Sequence, residues 1–199
     1  LIQERPALVA DVLLAYALPM LRAGKEHVSG LFQLAYNDAY SGVARIAIPP
    51  LLEGFPLRAR KHQLGNALAP LLKGALHYLG QEMLASIISR KLELGSMDAA
   101  QRVYWLACGL IIAPAAYMAK LHQYLDKSKV RRGHLAGFLH NHQERGFDYT
   151  ALPATALALM RPARMLTTVK ALISMRICTP TGKPRRKIDR IISGAGRRR

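Results

Sequence analysis

The strongest constraint on this chain is where its leucines fall. Leu64, Leu68, Leu71, Leu72, Ala75, Leu76 and Leu79 recur at steps of three and four. That spacing places apolar side chains on one face of an α-helix. Lys61, His62, Asn66, Lys73 and His77 fall mostly on the opposite side. Pro70 either kinks this helix or opens its second part at the first helical position, where a missing N–H costs little. Leu84, Ile87, Ile88 and Leu92 repeat the pattern, with Gly95 as the expected C-cap. Ser96 is then placed to cap the next helix, and Asp98 to sit favourably in its first turn.

The same reading extends along the chain. Val103 to Ile112 is apolar nearly all round, the pattern of the most buried helix in an assembly. Pro114 opens another helix, with Tyr117, Leu121, Tyr124 and Leu125 on its inner face. Ser128 is placed to cap one more, whose stripe is Leu135, Phe138 and Leu139. Upstream, Pro6 to Leu21, Val28 to Tyr36 and Val43 to Phe55 make three helices, the last interrupted at Pro49-Pro50. No segment alternates as a β-hairpin does.

The expected fold class is therefore all-α. Successive helices of roughly 10 to 18 residues with short links are ordinary for packed domains. Taken in pairs they suit stacked helical hairpins, a HEAT/armadillo-like α-solenoid fragment. The pairs are not alike residue by residue, so a compact helical bundle is the alternative. Residues 1–160 form the helical-repeat domain in this reading, and 161–199 a basic, flexible C-terminal segment.

Charge draws that boundary. The whole chain carries +17. Residues 1–126 hold 12 Lys/Arg against 9 Asp/Glu, whereas residues 127–199 hold 17 against 3. Residues 161–199 alone carry +11, with Asp189 their one acid. A nearly neutral body is joined to a strongly basic end, and the two need separate explanations.

Several chemistries find no motif. Neither HExxH nor paired CxxC occurs, and in the tightest group, His134, His140, His142 and Glu144, His140 and His142 at i, i+2 point apart on a helix. Gly24-Lys25 and Gly182-Lys183 lack the earlier glycine and the Ser or Thr of a phosphate loop. Cys108 lies in the most apolar helix and reads as an inert core thiol. Cys178 precedes Thr179-Pro180 with no base or orienting group nearby. Glu53, Glu82, Glu93 and Asp98 are scattered over helix ends and solvent faces, so no carboxylate pair stands out. No catalytic, cofactor or metal residue is assigned, and no cofactor is expected.

Two cysteines do not make a disulfide framework, which points to a reducing, cytoplasmic setting. Val103 to Ala119 is a run of 17 residues without charge, bracketed by Arg102 and Lys120. About 20 apolar residues are needed to cross a bilayer, and Pro114 divides this run, so no membrane span is expected. The chain opens on Leu1 rather than methionine and lacks the layout of a signal peptide; the expectation is a piece of something longer.

The stretch Met97-Asp98-Ala99-Ala100-Gln101-Arg102-Val103-Tyr104-Trp105-Leu106-Ala107-Cys108-Gly109-Leu110-Ile111-Ile112-Ala113-Pro114 adds one more expectation. With Tyr117 and Gly133 to Leu139, it resembles the helical-repeat region of large bacterial NACHT-type (STAND) NTPases. The resemblance covers about residues 96–139 as motif and 1–160 as helical arrangement. It implies a recognition array downstream of a nucleotide-binding switch, in a family several of whose members act in phage defence. The family's phosphate loop has no counterpart here, so no catalytic residue is carried over. Tyr104, Trp105 and Leu106 are expected to fix helix packing.

The basic end admits three readings. It is a nucleic-acid arm with Lys183, Arg185, Arg186, Lys187 and Arg190 as candidate anion contacts, or a polybasic membrane-surface segment. Otherwise it is a solvated tail or an out-of-frame remnant of arginine-rich sequence. No aromatic residue follows Tyr149, which argues against stacking on single-stranded bases. The leading expectation is a non-enzymatic recognition module with a protein partner on its solenoid surface. A helical nucleic-acid-binding protein using residues 161–199 is the alternative, and no small-molecule ligand is named.

Overall fold

A computed structural model describes residues 2–126 and 128–143. Among the described residues all regular structure is helical, with no strand, as the periodicity predicts. Helix α1 is Pro6–Arg22. It closes with Gly24 N–H on Leu21 O and Lys25 N–H on Met20 O, both 3.1 Å, which satisfy carbonyls the helix end leaves free. Gly24 takes φ +73° there, a left-handed turn open to a residue without Cβ.

Short α2, Leu31–Tyr36, and a 3-10 turn, Asp38–Tyr40, lead into α3, Ser41–Glu53. Pro49 and Pro50 lie inside α3 and do not interrupt it, contrary to the sequence expectation. Arg45 and Ile46, whose carbonyls lose a donor to these prolines, are exposed, so water can take the donor's place. Val43, Ala44, Ala47, Ile48, Leu51 and Leu52 are all buried on this helix. At about 1.5–3 kcal/mol per large aliphatic side chain, that burial outweighs two lost bonds of about 1 kcal/mol each.

Pro70 is accommodated by a different device. Helix α4, Lys61–Gln63, widens into a π-helical turn over Leu64–Leu68 before α5, Ala69–Tyr78. Ala69 N–H donates to Leu64 O, five residues back. Pro70 thus enters α5 in its first turn, where its missing N–H is not needed.

Helix α6, Gln81–Glu93, ends on Leu94 as C-cap, with Gly95 beyond it. Helix α7, Ala99–Ile112, has Asp98 and not Ser96 at its N-cap. Tertiary contacts set that start. Asp98 N–H donates to Leu57 O at 3.1 Å and Met97 is buried, so both residues are tied to the body before the helix begins. Helix α8 is Pro114–Leu125 and α9 is Lys129–Gln143. Ser128 stands directly before α9, its carbonyl taking Arg132 N–H at 3.4 Å.

Helix α1 packs on α3, while α2 and α3 both pack on α5. Farther along, α6 packs on α7, and α7 also holds α8 and α9. Val103, Trp105, Leu106, Ala107, Cys108 and Leu110 are buried on α7, in keeping with its apolar circumference. Trp105 has no exposed surface, and Tyr104 meets Phe138 of α9 edge-on at 5.3 Å, so these side chains do fix helix packing. A Cβ on Gly74 would stand 2.7 Å from Ile48 Cδ1 and 3.2 Å from Ala35 Cα; helix α5 therefore lies close against both neighbours.

That close packing reaches past the leucine stripe. Lys73, on the side of α5 opposite the leucine stripe, is buried all the same with 8% exposure. Its ammonium lies 5.5 Å from the centre of the Tyr36 ring, so an aromatic face on α2 receives the charge. No helix of the described residues is long and apolar enough to cross a membrane. The boundary expected near residue 160 lies outside the described residues.

Candidate functional site

The uncharged run Val103–Ala119 turns back on itself at Ala113, where α7 ends and Pro114 begins α8. Gly109 makes the turn-back tight, because a Cβ there would stand 2.7 Å from the Tyr117 ring. With α6 as a third wall, the two helices frame a surface groove of about 280 Å³. Leu92 and Leu106 supply apolar surface, Tyr117 and Tyr124 aromatic walls, and Ser89 and Gln123 neutral polar groups. Arg102, Lys120 and Glu93 supply the charge. The two cations that bracket the run in sequence thus line one groove.

Hydrogen bonds hold these groups in place. Arg102 donates to Leu92 O at 3.2 Å and to Leu94 O at 3.4 Å, satisfying carbonyls at the end of α6 with a cation. Tyr124 Oη donates to Ala99 O at 3.0 Å. Its ring is backed by the Arg131 guanidinium at 4.1 Å, and Arg131 also donates to Tyr124 O at 3.0 Å. Tyr117 Oη and Ser89 Oγ lie 3.3 Å apart, and Lys120 Nζ sits 5.5 Å from the Tyr117 ring centre.

Chemically, the groove offers apolar surface, aromatic rings, neutral polar groups and charge to a partner. The hydroxyl partner of Ser89 Oγ is the Tyr117 phenol, not the imidazole of a Ser–His pair. Away from the groove, Cys108 is fully buried, and burial pushes its thiol well above the ordinary range. Among the described residues, no group of three His, Cys, Asp or Glu could hold a metal. His122 Nδ1 lies 2.9 Å from Asp126, and His77 lies 3.7 Å from Asp38; both pairs are exposed. His134 faces Tyr104 with ring centres 6.4 Å apart. Glu53 is engaged by Arg90.

Lys183, Arg185, Arg186, Lys187 and Arg190 lie outside the described residues, as do Cys178, Glu144 and the side chains of His140 and His142. Sequence reasoning missed the groove. Tyr117 and Tyr124 read as inner-face residues of a helix, and Arg102 and Lys120 only as brackets. The available signal was an arginine and a lysine on either side of a proline-broken apolar run, a pattern that brings the two together only if the run folds back.

No protein-family model, no curated protein and no solved structure matches this chain.

Proposed function

We propose that this chain is a non-enzymatic protein-recognition module whose helical hairpins stack as a HEAT/armadillo-like solenoid. On this reading it works in the cytoplasm, like the recognition arrays of the NACHT-type NTPases that residues 96–139 resemble. The observation that carries the proposal is the α6–α8 groove, with Arg102, Tyr117 and Tyr124 on its walls. Tyrosine and arginine are the residues that dominate protein-interface energetics. Here they are already held by bonds to backbone carbonyls and a neighbouring hydroxyl, which lowers the entropy lost on binding. At about 280 Å³ the groove falls just below the roughly 300–1,000 Å³ of small-molecule sites. It suits one or two side chains of a partner. Two cations to one acid favour an acidic side chain beside an apolar one.

The test is selection of random peptides on the immobilised chain, followed by fluorescence polarisation of the selected sequences. The expected peptides pair an acid with a bulky apolar residue, and Lys120→Glu, at an exposed position, weakens them at least about tenfold (about 1.4 kcal/mol). Peptides that bind Lys120→Glu and Gln123→Arg as well as the unaltered chain would overturn the groove as the recognition site.

A further inference from the structure

The described body carries a second charged feature, independent of the groove and of residues 161–199. Gln63 ties the end of α1 to the start of α4. Its amide donates to Leu21 O at 3.1 Å and its Oε1 accepts from Arg60 N–H at 3.3 Å. A Cβ built on Gly24 would lie 4.0 Å from the same Oε1. Arg22 and Lys25 are thereby brought beside Arg60 and Lys61, with Arg58 close by in sequence. All five residues have solvent access, and none makes an ion pair among the described residues.

The loop bearing Arg58 and Arg60 is built rather than loose. Three consecutive carbonyls are held from the other side. Phe55 O takes Lys91 Nζ at 2.9 Å, Pro56 O takes Gln101 Nε2 at 2.8 Å, and Leu57 O takes Asp98 N–H at 3.1 Å. Ala59 is then buried with 7% exposure, leaving its two arginine neighbours turned to solvent on a fixed backbone. In segments 22–27 and 58–62 the one acid is Glu26, against five cations.

We propose that this cationic surface of Arg22, Lys25, Arg58, Arg60 and Lys61 binds the phosphate backbone of double-stranded nucleic acid. Phosphate contact needs cations held in register and no apolar anchor. A protein interface of this charge would carry aromatic or aliphatic anchors at its centre. None of the exposed large apolar side chains falls within segments 22–27 or 58–62, the nearest in sequence being Tyr16, Phe32 and Ile46. Segments 22–27 and 58–62 contain no Phe, Tyr or Trp, so stacking on single-stranded bases has no platform. The duplex is gripped without regard to sequence.

The experiment uses the full chain with all twelve Lys and Arg of residues 161–199, Lys183, Arg185, Arg186, Lys187 and Arg190 among them, changed to glutamine, so that the basic end does not supply the signal. Its binding to a labelled random-sequence DNA duplex is measured across a salt series. This chain is expected to keep salt-dependent binding. Adding Arg22→Gln, Lys25→Gln, Arg58→Gln, Arg60→Gln and Lys61→Gln should make the slope of log K against log salt shallower by about 4.5, at about 0.9 for each phosphate no longer neutralised. Arg58→Gln with Arg60→Gln alone should lower it by about two, and Arg58→Lys with Arg60→Lys should restore it. Circular dichroism melts confirm that each variant keeps its helices. An unchanged slope in the five-residue variant overturns the proposal. So does polyglutamate competing as well as DNA, which would assign the surface to an acidic protein.

Discussion

The ring of Tyr117 lies against the backbone of Gly109, so close that a Cβ on Gly109 would stand 2.7 Å from two of its carbons and 2.8 Å from a third. Helix α8 is thereby seated on α7, and Tyr117 is presented to the groove. In an open helix, Gly→Ala stabilises by about 1 kcal/mol. At Gly109 the sign reverses, because the added methyl must push a buried ring. Gly109→Ala is expected to destabilise by about 1–3 kcal/mol, the range for overpacking a core. Urea unfolding followed by helical circular dichroism measures it, and a gain in stability would contradict the packing described.

Gly133 provides the opposite case. It is exposed on α9, and a Cβ there meets nothing within 4 Å. Gly133→Ala should therefore raise stability by about 0.5–1 kcal/mol, through helix propensity and a less flexible unfolded chain. Measured beside Gly109→Ala, it separates the effect of the methyl from the effect of its surroundings. A loss of stability at both positions would refute the distinction.

Alkaline pH tests Lys91. Burial pulls its ammonium below the ordinary 10.5, against the opposing pull of Glu53. Between that lowered value and 10.5 the unfolded chain holds a proton that the folded chain has released, so stability rises with pH across the window. Tyr104 acts the other way. Burial raises its phenol above 10.0, so above that pH the unfolded chain loses its proton first and stability falls. Unfolding free energies measured up the alkaline limb should lose the rising component in Lys91→Met and the falling one in Tyr104→Phe. A rising slope that survives Lys91→Met would exclude Lys91 as its source.

The helices were legible because amphipathic spacing is a local property. The stripe from Leu64 to Ala75 and the apolar circumference of α7 could be read directly, and the structure buries both. Pro114 likewise starts a helix where it was expected to. Errors came where a distant partner set the outcome. Ser96 and Asp98 are equally good caps by residue type, and the sequence reading places the start at Ser96, yet Asp98 is tied to Leu57, far away in the chain. Lys73 falls by spacing on the side opposite the leucine stripe, yet it is buried with its ammonium 5.5 Å from the Tyr36 ring centre.

The candidate sites divide in the same way. A net charge read along the chain directed attention to residues 161–199, because summing charges ignores which segments meet. Gln63 joins two short basic segments that look unremarkable thirty-odd residues apart. By itself, the sequence determined that the described residues are all-helical and which face of most of those helices is buried, since periodicity needs only neighbours within a few turns. Only the tertiary structure decided where the helices stop, that Arg102 and Lys120 share a groove, and that Gln63 ties the end of α1 to Arg60. Each of these depends on contacts between residues far apart in the chain, and a one-dimensional pattern does not contain those contacts.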